Sequence, residues 1–177
     1  MEPFRINKLE AVSRQLETAI RLFFSKGDPV AIHTLSHASY IILRDICRNN
    51  GKGLPMIEML IAKVLPVKQK EVRAKFNEAA NFFKHADTDH SGQLEFRPAL
   101  TEWMLQDCSK VFQGLTGQNT PWLFAMQLWM TIRNPGIWSE EIEQNMQVLR
   151  DNSELATMPR EEFMREIESL WARGVGQ

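Results

Sequence analysis

The sequence contains little cysteine and no long apolar run. Two cysteines, Cys47 and Cys108, occur in 177 residues, too few for the disulfide framework that holds many small secreted proteins together. The segment Met1–Arg5 lacks the basic start and apolar run of a signal peptide, and no uncharged stretch is long enough to cross a bilayer. We therefore expect a cytoplasmic protein with no membrane partner.

The sequence also lacks an excess of charge of either sign. With 21 Lys and Arg against 22 Asp and Glu, the net charge is -1, so any binding to nucleic acid or anionic lipid requires a local patch. Charge is nevertheless uneven. Residues 63–75 contain five basic residues against Glu71, whereas residues 139–168 contain nine acids against three arginines. We interpret both segments as solvated helix surfaces, the alternative being an anion-attracting patch beside an acidic face.

Helical periodicity of apolar residues fills almost the whole chain, and no segment alternates with the two-residue period of a half-buried strand. The sequence therefore predicts an all-α, single-domain bundle of about seven helices. The segment 121–132 is apolar around nearly its whole circumference and should form the central buried helix. The segments with helical periodicity are 6–24, 29–48, 55–65, 67–86, 98–115, 121–132, 139–150 and 159–172.

A row of polar residues marks the fourth of these segments. Arg73, Asn77, Asn81 and His85 follow one another at four-residue intervals, which places them on one helix face. The predicted apolar side lies opposite and consists of Val72, Phe76, Ala79, Ala80 and Phe83. Asparagine weakens a helix interior, so two of them one turn apart suggest a use. Amides can orient a phosphate or an imidazole, and histidine suits proton transfer near neutrality. The alternative is that both asparagines satisfy a neighbouring loop or helix end.

The same segment carries a resemblance to a known superfamily. Residues 80–85 read Ala-Asn-Phe-Phe-Lys-His, which resembles the signature of the HEPN superfamily of small helical bundles: Arg, a polar residue, three further residues and His on one late helix. The order of segments 28–35 and 81–87 is also similar to that of an uncharacterised bacterial helical family. The resemblance implies a HEPN-like part at 1–115, with 116–177 as additional core and C-terminal helices.

Active members of that superfamily are metal-independent ribonucleases, often dimeric. The resemblance implies that His85 would act on the 2′-hydroxyl and that Asn81 would orient the reacting groups. The position of the superfamily's Arg is occupied by Ala80, and Arg73 would lie about 18 Å along the helix axis from His85. Loss of a cation that stabilises developing charge costs several kcal/mol.

We therefore predict a non-catalytic or weakly active bundle, without a cofactor. It would bind RNA or protein, with a homodimer as one arrangement, through a groove to which Arg73 would contribute and which is lined by His33, Asn77, Asn81, Lys84 and His85. The alternative is a ribonuclease that acts through His85.

The segment 87–98 resembles an EF-hand loop. Oxygen ligands would come from Asp87, Asp89, Ser91, the Gln93 carbonyl and Glu95. The twelfth position, normally a bidentate Glu, is proline, which cannot coordinate through its side chain. The interpretation as a polar turn is therefore preferred, with calcium binding as the alternative.

His33 and His37 stand four residues apart on the second segment, a spacing that can place two imidazoles on one metal. A third ligand, His85 or Asp87, would be needed. We favour a structural role instead, with His33 hydrogen-bonded inside the bundle near Asn81 and His37 nearer its edge.

Overall fold

A computed structural model describes residues 2–87 and 90–175 of the chain. These residues form eight α-helices and a single turn of 3-10 helix (Glu154–Ala156), with no β-strand among them, so the predicted all-α bundle is confirmed. The helices are α1 (Lys8–Phe24), α2 (Pro29–Asn50), α3 (Met56–Ala62), α4 (Pro66–Phe82), α5 (Ala99–Thr116), α6 (Pro121–Arg133), α7 (Glu140–Asn152) and α8 (Arg160–Ala172).

Local capping residues fix the first two helices. Asn7 and Glu10 form a reciprocal capping box, in which each backbone N–H donates to the other residue's side chain at 2.9 Å, and α1 therefore begins two residues later than predicted. Asp28 accepts the backbone N–H of Ala31 at 2.9 Å before the first turn of α2. Gly51 ends α2 in the left-handed region, with φ 61°, a conformation that glycine adopts without steric cost.

The hydrophobic core lies between α1, α2, α5, α6 and α8. Aromatic rings of three helices meet there: Trp129 of α6 packs edge-on against Phe24 of α1 and Phe163 of α8, with ring centroids 5.6 Å and 5.1 Å away. Such packing adds to the stabilisation from apolar burial. Six of the 13 residues of α6 are buried, against eight of 18 in α5. The central position predicted for α6 is therefore shared with α5.

Helices α3 and α4 form a thin layer against α2. Asp107 of α5 holds the start of α3, because its carboxylate accepts the backbone N–H groups of Met56 and Ile57 at 2.9 Å and 3.4 Å. Helix α4 contacts α3 and α2, and Ala80 is the residue that it buries fully. It ends at Phe82, four residues before the predicted end. The predicted apolar side of α4 is only partly buried, since Val72 is exposed.

Within the described residues, no helix combines the length and the apolar character needed to span a bilayer.

Candidate functional site

The two histidines of α2 are buried. The Nδ1 of His33 lies 2.9 Å from the Thr101 hydroxyl oxygen of α5, and the Nε2–H of His37 donates to the Asn77 side-chain oxygen of α4 at 2.9 Å. Their ring centroids are 6.1 Å apart. The structural role predicted for His33 agrees with this arrangement, in which its hydrogen-bond partner is Thr101. His37 is as buried as His33 and does not lie nearer the edge.

Burial keeps both imidazoles neutral at pH 7. Desolvation, followed by the charges of His37 and Lys84, lowers the pKa of His33 from 6.5 to about 4. Desolvation also lowers the pKa of His37, although the hydrogen bond with Asn77 acts in the opposite direction. Edge-on rings of Phe83 and Phe96 flank His33 at 5.8 Å and 5.3 Å. Its other nitrogen, Nε2, has no hydrogen-bond partner among the described residues.

Arg73 is engaged inside the protein. Its Nη1–H donates to a carboxylate oxygen of Glu58 at 2.5 Å, and Arg48 donates to the other oxygen at 2.6 Å. The Tyr40 hydroxyl also donates to Glu58. Burial raises the pKa of Glu58, but the hydrogen bonds from Arg73 and Tyr40 and the two arginine charges outweigh it, so the net pKa lies below its ordinary value. Arg73, predicted as a groove residue, is therefore held by Glu58 and is not among the residues that line the groove described below.

Sequence reasoning did not identify this Glu58 cluster. The available signal is a single acid within the otherwise uncharged segment 56–62. An isolated carboxylate of this kind on an apolar helix is buried only when cations meet it. Nothing in the spacing states that Arg48 and Arg73 supply those cations.

Asn81 and His85 line an open groove. The groove has a volume of about 1100 Å³ and runs between α4 and the segment 93–100. The sequence predicted His85 on the helical face of α4, but the structure places it beyond the end of that helix. Its backbone N–H still donates to the Asn81 carbonyl at 3.0 Å. The apolar part of the lining comes from Val72, Ala74, Phe76, Phe82, Leu94 and Leu100.

The other predicted groove residues lie elsewhere. His33 and Asn77 are not among the residues that line this groove. His33 instead lines an adjoining cavity of about 480 Å³, which Leu94 and Leu100 also border. Lys84 is exposed beside His85. The predicted single row of polar residues is thus divided: Arg73 and Asn77 serve internal contacts, and Asn81 and His85 remain accessible.

The charges along the groove are mutually neutralised. Lys75 and Glu78 form an ion pair at 2.7 Å, and Glu71 pairs with Lys68 at the same distance. The groove therefore offers an apolar floor with amide and imidazole groups rather than a strongly cationic track.

Ala80 occupies the interior side of α4. It is fully buried, whereas its neighbour Asn81 faces the groove. A cationic side chain at position 80 would enter the bundle and not the groove.

The segment 87–98 connects α4 and α5. Asp87, Ser91 and Glu95 are exposed, and Glu95 forms an ion pair with Arg97 at 3.1 Å. Asp89, the second predicted calcium ligand, lies outside the described residues. Among the residues that the structure describes, no group of three or more His, Cys, Asp or Glu side chains could hold a metal ion, so the His33–His37 pair gains no third ligand there.

Comparison of the chain with protein-family models, with curated proteins and with solved structures finds no match.

Proposed function

We propose that this protein is a non-catalytic binding bundle that holds an apolar segment of a partner protein in the groove between α4 and residues 93–100. The observation that carries the proposal is the lining of the groove, where Phe82, Leu94 and Leu100 surround an open volume of about 1100 Å³. The groove is open to solvent and does not enclose its contents as an ordinary small-molecule pocket does. It suits a helix or extended segment that inserts several side chains.

The polar groups of the groove fit the same occupant. Asn81, His85 and Gln93 stand beside the apolar floor and can hydrogen-bond to the main chain or polar side chains of an inserted segment. Recognition of this kind combines apolar anchors with a few polar groups that fix their orientation.

RNA is the less favoured partner. RNA binding draws much of its affinity from cations that neutralise phosphates. Here Lys68 and Lys75 are each paired with a glutamate, and Arg73 is bound to Glu58. Among the cations predicted for the groove, Lys84 alone forms no salt bridge with the described residues, so a phosphate backbone would meet few cations without displacing existing ion pairs.

The test uses a phage-displayed library of random peptides selected against the whole protein. We expect enriched peptides with apolar residues at helical spacing, whose affinity falls at least about tenfold in Leu100→Glu. Ile137→Glu is the matched control, since Leu100 and Ile137 are 62% and 55% exposed and Ile137 lies outside the groove. Peptides that bind Leu100→Glu as tightly as the parent protein would contradict the proposal, as would salt-sensitive binding of an RNA oligonucleotide in their place.

RNA cleavage is a second candidate, because Asn81 and His85 border the same accessible groove. It requires metal-independent cleavage that disappears in His85→Ala and persists in the control His90→Ala. Restoring the superfamily's Arg through Ala80→Arg is not a clean test, because position 80 is fully buried and an unpaired buried guanidinium would destabilise the fold. Cleavage unchanged in His85→Ala would exclude this candidate.

A further inference from the structure

A second group of exposed apolar residues lies at the junction of α3 and α4, and none of its members lines the groove. We call it the α3–α4 corner and define it as Met56, Met59, Leu60, Leu65 and Val67. The last four are 49%, 55%, 70% and 82% exposed. Single exposed apolar residues are ordinary on protein surfaces, but five within twelve consecutive residues are a concentration that marks a candidate interaction surface.

Lysines outnumber acids in the sequence of this corner. Residues 52–70 contain four lysines and one acid, Glu58. The Glu58 carboxylate is buried and already bound to Arg48 and Arg73, so it does not offset the lysines at the surface. One of the four, Lys68, pairs with Glu71 just beyond the corner. The lysines are Lys52, Lys63, Lys68 and Lys70.

The composition of the corner favours a lipid surface over a protein or RNA partner. Protein interfaces concentrate aromatic residues and arginine in their cores and are depleted in lysine. Single-stranded RNA sites stack bases on aromatic rings. Residues 56–70 contain neither an aromatic residue nor an arginine. Exposed aliphatic side chains close in sequence to several lysines fit a surface at the interface of an anionic bilayer, where leucine enters the acyl region and lysine meets the headgroups.

We propose that the α3–α4 corner docks on anionic phospholipid membranes, with its aliphatic side chains inserted among the acyl chains and its lysines facing the headgroups. The net charge of -1 supplies no overall attraction to such a membrane, so binding depends on this local patch. The expectation of no membrane partner concerned spanning segments and overall charge, and peripheral docking requires neither.

The test measures sedimentation of the whole protein with vesicles of phosphatidylcholine and phosphatidylserine in equal parts, and with vesicles of phosphatidylcholine alone. We expect binding to the mixed vesicles that weakens with added salt, and little binding to the neutral ones. Val67→Glu should reduce binding about tenfold or more, since it replaces an inserted side chain with a carboxylate. The substitution lies in the first turn of α4, where an acid suits the helix dipole, so folding should be retained.

One control variant separates this surface from the groove. Leu100→Glu adds the same charge in the groove lining and should bind vesicles like the parent protein.

A second pair of variants tests the lysines. Lys63→Gln with Lys70→Gln should weaken vesicle binding roughly fivefold for each lysine. Lys8→Gln with Lys84→Gln removes the same charge from other exposed positions and should weaken it much less.

Several results would overturn the proposal. They are the absence of binding to the mixed vesicles, equal binding to neutral ones, or equal losses in Val67→Glu and Leu100→Glu. If the parent protein binds an RNA oligonucleotide or a protein ligand but no vesicles, and Val67→Glu loses that binding, the corner would be assigned to that other partner. Because the vesicle assay does not involve the groove peptides, failure of one proposal leaves the other intact.

Discussion

Helices α1 and α4 are both 17 residues long, yet the bundle uses them in opposite ways. Helix α1 buries six residues and carries a capping box at its start. Helix α4 buries Ala80 alone and receives no side-chain cap from the described residues. Equal length and helical pattern therefore do not imply an equal share in the core.

The difference lies in what attaches each helix. Apolar side chains hold α1, whereas two polar contacts help to hold α4: Arg73 with Glu58 of α3, and Asn77 with His37 of α2. Apolar burial stabilises in proportion to the area removed from water, while paired polar groups mainly offset their own desolvation. A helix attached in this way keeps apolar residues such as Val72 and Phe82 available to other molecules.

The largest predicted effect tests the apolar packing that holds α1. Leu16→Ala removes a fully buried side chain of α1 and should lower the free energy of unfolding by about 3 kcal/mol, through lost burial and the cavity left behind. Val72→Ala in α4 should cost less than about 0.5 kcal/mol, because this side chain is exposed. Urea denaturation of both variants measures the difference, and equal losses would show that α4 contributes to the core as much as α1.

The periodicity of the sequence predicted most of α1 because its repeating apolar positions from Val12 onward lie in the core. Leu16 and Ile20 lie one turn apart and both are fully buried. The same pattern misassigned parts of α4. The predicted end lies four residues too late. Phe83 and His85 still donate helical hydrogen bonds to the carbonyls of Ala79 and Asn81, at 3.0 Å each, but the helix does not continue beyond them.

The candidate site was only partly predictable, for a related reason. Four-residue spacing puts Arg73, Asn77 and Asn81 along one side of α4, but spacing does not say which part of that side meets another helix. The partner of Arg73 is Glu58, 15 residues earlier, and the partner of Asn77 is His37, 40 residues earlier. Such pairings depend on the tertiary packing of α2, α3 and α4, which a local pattern does not contain.

A smaller effect tests the polar attachment of α4. Glu58→Gln removes the charge that meets Arg48 and Arg73 and should cost about 1 to 2 kcal/mol, moderated because both arginines can regain water. Amide hydrogen exchange should accelerate in α4 more than in α1.

The control for this variant is Glu17→Gln. It removes an exposed ion pair with Arg21 in α1 and should cost less than about 0.5 kcal/mol. If hydrogen exchange accelerates equally in both helices of Glu58→Gln, the Glu58 cluster stabilises the whole bundle rather than attaching α4 to it.

The smallest effect concerns the histidines beneath α4. The pKa of His33 falls from 6.5 to about 4 on folding, so between these values the unfolded chain binds a proton that the native protein excludes. Stability must therefore fall as pH falls through this window. From pH 7 to about pH 5.5, His33 should account for roughly 1 kcal/mol of this loss, and the lowered pKa of His37 adds to it.

Urea denaturation at the two pH values compares the parent protein with His33→Gln and with His90→Gln, the latter at an exposed position. The pH dependence should decrease in His33→Gln, with a remainder from His37, and should persist in His90→Gln. Above about pH 5.5 Glu58, whose pKa is lowered, stays ionised in both states and adds little to the slope. Burial raises the pKa of Asp107, which acts in the opposite direction but is common to all three proteins. If the dependence of the unfolding free energy on pH is unchanged in His33→Gln, the His33 ring must take up protons in the native state as readily as in the unfolded chain. The contact between α2 and α4 would then open to water more readily than the contacts of α1 do.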